Sequence, residues 1–223
     1  SNLFQIDVHE PNDYQRLLHR LPAFPTHVLH LWGMDGETTA VSASARFADA
    51  QQRGFYSLIF LLQAIEHYPE ELTIWAVTAN GQMVTGTEVL CPERTTILGA
   101  CRVIAQENAN ISCGYIDVEW PVGAAWRQAW LADQLLAEIK RPPQELAVAF
   151  RGRRRWAQAF DPVYLPDCGG EAVLRQHGVY LITGGLGGVG LILAGYLAQK
   201  VQARLILTTP SLFPQPGQWD DWL

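Results

Sequence analysis

A glycine-rich turn at residues 183–190 carries the residue types and spacing in this sequence that could do chemistry. It reads TGGLGGVG, follows the apolar run VYLI at 179–182 and precedes apolar helix-forming residues. From Thr183 the spacing is T-G-x-x-x-G-x-G, and 185–190 also fits G-x-G-x-x-G. Such glycines let the backbone turn sharply and approach a pyrophosphate, towards which the following helix directs its N–H groups. The context predicts dinucleotide binding, with a turn used only for packing as the alternative.

The second half of such a site lies about 20 residues further on, at the end of the next strand. An acid there holds the NAD ribose, and a base accommodates the NADP 2′-phosphate. The strand ARLILTTP offers neither, because it ends in Thr208, Thr209 and Pro210, and proline has no backbone N–H. The residues expected to contact a dinucleotide are Thr183, Gly184, Gly185, Leu186, Gly187, Gly188, Val189, Gly190, Thr208 and Thr209.

The elements before this turn alternate between strands and helices. The predicted strands are 26–34, 71–80, 112–120 and two short ones within 145–160 around Gly152, and the predicted helices are 45–68, 92–108 and 124–140. The alternation predicts an α/β fold, a Rossmann-like parallel sheet with flanking helices. No strand-to-helix turn there carries a glycine fingerprint, so the sheet is expected to have no nucleotide pocket.

Side-chain positions follow from these elements. In the helix at 45–68, the apolar positions expected to pack are Phe47, Leu58, Leu61, Leu62 and Ile65. The eight tryptophans are expected to pack the core. His27 and His30 lie three apart on a strand and so face opposite ways, which disfavours a metal pair.

Composition excludes several classes of function. The net charge of −6 argues against nucleic-acid binding, and the four cysteines form no CxxC pair, so no metal site is expected. Residues 178–198 carry no charge and could by length span a bilayer, but they include seven glycines. Each glycine costs a helix about 1 kcal/mol relative to alanine. The segment is therefore interpreted as strand, turn and helix, with no membrane association, in a cytoplasmic protein.

Four segments together resemble the ketoreductase region of modular polyketide synthases, within the short-chain dehydrogenase/reductase superfamily. They are LGACRVIAQENANISCGYIDVEW, ELAVAFRGRRRWAQAFDP, GVYLITGGLGGVG and RLILTTPSLFPQPGQWDDWL. The resemblance implies a structural subdomain over 1–168, Rossmann-like without a nucleotide pocket. It implies that 169–223 is the truncated start of the NADPH-binding catalytic subdomain, an incomplete second Rossmann β-α-β unit.

The resemblance also bears on activity. The family's active-site Ser, Tyr, Lys and Asn are expected beyond position 223, so no catalytic residue is assigned here. Tyr196 and Lys200 have the spacing of a catalytic pair but lie in the first cofactor helix. Where family members usually read Thr-Gly-Arg or Thr-Ser-Arg, this sequence has Thr208, Thr209 and Pro210. NADPH binding by this chain is therefore expected to be weak or absent.

Two functions stay open from the sequence. The favoured one is a truncated or pseudo-ketoreductase that acts as a structural scaffold within a polyketide synthase module. The other is the N-terminal portion of an active NADPH-dependent β-ketoacyl-carrier-protein reductase. The expected partners are an acyl carrier protein and neighbouring synthase domains: a methyltransferase, a dehydratase, an enoylreductase or the rest of the ketoreductase. The basic run RGRRRW at 151–156 is interpreted as solvated strand charge, with pairing to the catalytic half or the carrier as the alternative.

Overall fold

The computed structural model describes four stretches of the chain: 3–34, 42–120, 125–164 and 174–210. Two units are present, Ser1–Phe160 and Asp161–Leu223. Cys168, the expected boundary at 168/169 and the last part of the fourth family-like segment lie outside the described residues.

In the first unit, described helices and strands alternate after an N-terminal helix. The elements are α1 (Pro11–Arg20), β1 (His27–Gly33), α2 (Ala43–Ala50), a π-helical segment (Gln51–Tyr56), α3 (Ser57–Ile65), β2 (Leu72–Ala79), a 3₁₀ turn (Pro92–Arg94), α4 (Ile97–Glu107), β3 (Ile111–Val118), α5 (Ala125–Ile139), β4 (Ala147–Arg151) and β5 (Arg154–Ala157). The predicted strands and helices are thus present with shifted ends.

These five strands form one sheet in the order β1-β2-β3-β4-β5. The first four pair in parallel, which confirms the predicted Rossmann-like sheet with flanking helices. The fifth strand runs antiparallel to β4, because only two residues connect them and a parallel crossover needs a dozen or more. Gly152 in this hairpin has φ +54°, a left-handed conformation that favours glycine.

The sheet is covered on both faces, and β2 shows how. Leu72, Ile74 and Ala76 pack in a cluster that includes residues of α1, α3 and α4. Trp75 and Val77 pack in a second cluster, which includes Leu131 of α5. The alternation follows from the two-residue period of a strand, and burial on both faces explains why β2 has a nearly continuous apolar sequence.

The predicted helix at 45–68 is helical from Ala43 to Ile65 but changes winding at the π-helical segment. Leu58, Leu61 and Ile65 are buried as expected, whereas Phe47 is 51% exposed. A π-helical turn uses more residues than an α-helical one and therefore rotates the face that precedes it. The prediction that Phe47 packs in the core is wrong for this reason.

The tryptophans divide in the same way. Trp75 is buried, but Trp126 is 59% and Trp156 is 38% exposed. Trp126 lies in the first turn of α5, and Trp156 lies on β5, where every residue is exposed. The expectation that tryptophans pack the core is therefore wrong for these two.

The described part of the second unit is a strand, a helix and a strand. They are β6 (Val179–Thr183), α6 (Gly188–Val201) and β7 (Arg204–Thr208), and the two strands pair in parallel as a separate sheet. The predicted β-α-β unit is thus observed. Among the described residues no helix is long and apolar enough to cross a membrane.

Candidate functional site

The glycine turn of the second unit joins the carboxyl end of β6 to the N-terminus of α6. Gly184 has φ +70°, and its carbonyl accepts a hydrogen bond from Gly187 N–H at 3.0 Å. Gly187 then caps the helix, and its carbonyl accepts from Leu191 N–H at 2.9 Å. The chain can reverse this tightly because glycine adopts positive φ without steric cost.

The remaining glycines differ in what surrounds them. A Cβ on Gly190 would lie 2.5 Å from the Gly184 oxygen and 2.7 Å from the Gly185 Cα, so only glycine lets the helix approach the turn. A Cβ on Gly188 would meet nothing within 4 Å. These environments match two roles of a dinucleotide fingerprint, close packing of the helix and an open side for a pyrophosphate.

The expected site residues lie together at one end of the two-stranded sheet. Thr183 and Thr208 are paired across β6 and β7, and the carbonyl of Thr208 accepts from Gly185 N–H at 3.0 Å. Thr209 follows directly after β7, and Pro210 after it is exposed. In the turn, Leu186 is half-buried and Val189, in the first turn of α6, is 74% exposed. The structure thus brings the whole predicted set to the carboxyl edge, where ligands bind in open α/β sheets.

The same edge of the first unit is filled by its own side chains. Asp117, near the end of β3, is fully buried. Its Oδ1 accepts from the Thr78 hydroxyl at 2.7 Å and from Gly81 N–H at 2.8 Å, and its Oδ2 accepts from Gln82 N–H at 3.1 Å. Since the single Thr78 proton goes to Asp117, the Tyr115 hydroxyl donates to Thr78 Oγ1 over 2.6 Å. Burial and the nearby Asp117 charge raise the pKa of Tyr115, so it remains a donor.

Arg151, the last residue of β4, completes this network. Its Nη2 donates to Asp117 Oδ2 and to Gln82 O, its Nη1 to the carbonyls of Asp117 and Phe150, and its Nε to Glu88 Oε1 at 3.2 Å. All five guanidinium N–H groups therefore have partners. The side chain is only 5% exposed, and a buried arginine is tolerated when it is paired in this way.

Glu88 reaches the network from the loop after β2. Its carboxylate accepts backbone hydrogen bonds from residues 84–87 in addition to the Arg151 contact. The bond from Thr85 N–H is the largest cause that lowers the pKa of Glu88 well below its usual value. Glu88 and Asp117 against Arg151 leave one net negative charge, which repels a pyrophosphate where the strands end.

Asn80 ties the ends of β2 and β3 together beside this network. It has φ 57°, its amide nitrogen donates to the carbonyl of Trp120, and its Oδ1 accepts from Trp120 N–H at 2.9 Å. In a nucleotide-binding sheet this position would be open. Here a side chain links two strand ends.

Two family models match different parts of this chain. The family model described as "Beta-ketoacyl synthase-like, N-terminal" matches residues 1–125, more than half of the chain, and the one described as "KR domain" matches 178–220. The 6-methylsalicylic acid synthase of Penicillium patulum is 30% identical over 182 residues. The chain belongs to the polyketide synthase family, in its ketoreductase-like region.

That relative is much longer than this chain. The match covers 81% of the chain and 10% of the synthase, and the chain covers 4% of the polyketide synthase PksM of Bacillus subtilis. Among solved structures, a keto acid-selecting NRPS module with adenylation, ketoreductase and pseudo Asub domains has a TM-score of 0.70 at 24% identity, over 97% of this chain and 18% of that one. A-type ketoreductases from a modular polyketide synthase give 0.57 at 24%, over 95% and 43%. These structures support the fold.

Sequence reasoning missed the buried network of the first unit. Arg151 was assigned to a solvated run of charges, but it is buried, and that interpretation is wrong for it. Arg155 on β5 is partly exposed and pairs with Glu138 and Glu145 of the same unit. One signal was available, because Asp117 stands inside the apolar strand GYIDV, where a charge requires a partner.

Among the residues that the structure describes, the histidines and cysteines gather in no cluster of metal ligands. His27 is exposed and lies beside Thr26, whereas His30 is buried with its Nε2 2.7 Å from Ser57 Oγ. Cys91, Cys101 and Cys113 are free thiols. Within the described stretches no group of three or more His, Cys, Asp or Glu side chains could hold a metal ion.

Proposed function

We propose that this chain is the scaffold-forming part of a polyketide synthase ketoreductase region, with the first turn of an NADPH site attached. The first unit would be the structural subdomain, which binds no dinucleotide, and the second would begin the cofactor-binding subdomain. The observation that carries this proposal is the contrast between the two strand edges. One is filled by Asp117, Arg151 and Glu88, and the other is open at Gly188.

The glycine turn has the features that a pyrophosphate needs. The N–H groups of the first turn of α6 point out of the helix, and the helix dipole favours an anion there. Gly188 leaves space on the outer side, while Gly185 lets the turn lie against Leu207 of β7 and Gly190 lets the helix lie against the turn. When bound, NADPH supplies a hydride. The residues of this chain would hold its diphosphate and do not themselves carry out a chemical step.

The adenosine end fits NADPH poorly. Pro210 is exposed two residues after Thr208 and offers neither a charge nor an N–H to a 2′-phosphate. We therefore infer weak dinucleotide binding with little preference for NADPH over NADH. This supports the scaffold role, with neighbouring synthase domains and an acyl carrier protein as partners.

The intact geometry of the glycine turn favours a second candidate. The chain would then be the N-terminal portion of an active NADPH-dependent β-ketoacyl-carrier-protein reductase. The two candidates differ in turnover by the full-length parent protein with a β-ketoacyl thioester, followed by nicotinamide absorbance. Turnover that depends on this region supports the reductase, and its absence in a folded parent protein supports the scaffold.

The cofactor proposal is tested by NMR titration of the chain with NADPH at millimolar concentration. We expect shifts of the amide signals at 184–190 in the native chain, and their loss in Gly188→Ala, whose methyl group would enter the open space. Gly195→Ala is the matched control, because a Cβ on Gly195, in the middle of α6, also meets nothing within 4 Å. If the native chain shows no shifts, or if both variants respond alike, the turn does not hold the cofactor.

A further inference from the structure

The side-chain carboxylate of Glu88 is surrounded by hydrogen-bond donors in the way that a bound anion would be. We propose that segment 84–88, together with Arg151, is an anion site that the chain fills with its own carboxylate. Removal of that carboxylate should leave a site for a small tetrahedral dianion such as inorganic phosphate. The proposal concerns the first unit alone and does not rest on cofactor binding by the second.

The backbone around the carboxylate carries the first part of the argument. Glu88 Oε1 accepts from the N–H groups of Val84 at 3.0 Å and Thr85 at 2.7 Å, and Oε2 accepts from those of Gly86 at 2.9 Å and Thr87 at 3.1 Å. The Thr85 hydroxyl adds a bond of 3.0 Å to Oε1. Four consecutive N–H groups directed at one anion form a nest, an arrangement found at many phosphate sites.

The local conformation explains why these groups converge. Gly86 has φ +87°, a left-handed angle that brings the N–H of Thr87 to the same side as the N–H groups before it. A Cβ on Gly86 would meet nothing within 4 Å, so the glycine is required by its backbone angle and not by crowding. The loop is thus shaped around a negatively charged group.

Arg151 supplies the second part. Its Nε donates to Glu88 Oε1 at 3.2 Å, and the two side chains are only 5% and 6% exposed. The remaining N–H groups of Arg151 are committed to Asp117 and to backbone carbonyls. The guanidinium is therefore fixed in place whether or not Glu88 is present. A fixed arginine beside backbone N–H groups is a common way to bind an oxyanion.

There is also room for a replacement. A cavity of about 490 Å³ adjoins the carboxylate and is lined by Asn80, Thr85, Thr87, Glu88, Val89, Glu119, Trp120, Arg151 and Gly152. Shortening Glu88 to alanine would join the vacated space to this cavity. Two carboxylates, those of Glu88 and Glu119, line this cavity, so Glu88→Ala would remove one of the two negative charges there that repel an anion.

The test compares Glu88→Ala with the native chain in sodium phosphate and in sodium chloride of equal ionic strength. Glu119→Ala is the matched control, because Glu119 lines the same cavity but accepts from Gly152 N–H and not from the nest. We expect the Tm of Glu88→Ala to be lower than that of the native chain in chloride. In phosphate at ten times its Kd, the Tm should rise by roughly 3–6 °C. The native chain and Glu119→Ala should show no such rise.

Glu88→Gln distinguishes the loss of the carboxylate charge from the opening of space for phosphate. The amide lowers Tm through loss of charge but still fills the space, so phosphate should not restore its stability. A rise as large as that of Glu88→Ala would overturn the proposal. If Glu88→Ala does not fold in chloride, the readout becomes refolding yield from denaturant, followed by tryptophan fluorescence. A Tm or yield that is no higher in phosphate than in chloride contradicts the anion site.

Discussion

In both units the carboxyl ends of parallel strands form one edge of the sheet. This edge is filled by side chains in the first unit and is open in the second. In the first unit the ends of β2, β3 and β4 are cross-linked by Asp117 and Arg151, with Glu88 inserted from a loop. In the second unit the ends of β6 and β7 lead into a glycine turn with free space at Gly188. Whether such an edge can hold a ligand therefore depends on the residues that follow the strands and not on the strands themselves.

The two sheets also differ in burial. β2 and β3 are almost entirely buried, because clusters cover both of their faces. On β6 and β7, Val179, Leu181 and Ile206 are 53–65% exposed. Mutations in the first unit should therefore act mainly on stability, and mutations in the glycine turn mainly on local structure and binding.

The largest effect is expected from Asp117→Ala. It removes the acceptor of the Gly81 and Gln82 N–H groups and one of the two carboxylates that pair with the buried Arg151. The loss in free energy of unfolding should be about 3–5 kcal/mol, measured by urea denaturation. Asp133→Ala, at an exposed position on α5, should change it by less than about 0.5 kcal/mol. Equal losses in the two variants would mean that the closed edge does not stabilise the first unit.

The next effect depends on pH and on His30. Burial lowers the pKa of His30 from 6.5 to about 4, so the folded protein binds this proton less readily than the unfolded chain. The stability associated with neutral His30 is complete above pH 6.5 and is lost as pH falls towards 4. For this single protonation, the free energy of unfolding should fall by about 3 kcal/mol. In His30→Gln, unfolding free energy measured between pH 7 and pH 4 should fall less steeply, and an unchanged slope would contradict the assignment.

Pro210→Arg tests whether the open edge of the second unit can be made selective for NADPH. A charge-assisted hydrogen bond to the 2′-phosphate should strengthen NADPH binding by about 1.5–3 kcal/mol, or roughly ten- to a hundredfold, with little change for NADH. Calorimetry with both dinucleotides measures this. Gln199→Arg adds the same charge at an exposed position on α6 and should not discriminate between them. Equal gains for NADPH and NADH would show only a general effect of charge.

The smallest effects are expected within the glycine turn. Gly190→Ala places a methyl group 2.5 Å from the Gly184 oxygen, and overpacking of this kind costs about 1–3 kcal/mol. Gly195→Ala, in open space on the same helix, should stabilise by about 0.5–1 kcal/mol. Hydrogen exchange of the β6 and α6 amides reads out both changes. A turn that tolerates both substitutions alike is not constrained by close packing at Gly190.

Much of the fold was predictable because its signals are local. Apolar runs and helical spacing predicted β2, β3, α4 and α5, and the strand-turn-helix context predicted the glycine turn. The contacts of Gly184 with Gly187 and Gly190 join residues at most six positions apart, whereas the hydrogen bond from Gly185 N–H to Thr208 joins the turn to the next strand. Short-range spacing therefore carried most of the information on the candidate cofactor site.

The closed edge of the first unit was decided only by tertiary structure. Asp117 and Arg151 are 34 residues apart, and Glu88 and Arg151 are 63 apart. Whether such charges meet depends on strand order and register, which no local pattern specifies. The exposed Phe47 likewise depends on a π-helical segment that helical spacing did not predict. The helices, the strands and the glycine turn therefore followed from the local sequence. The closed strand edge of the first sheet followed from the long-range pairing of buried charges.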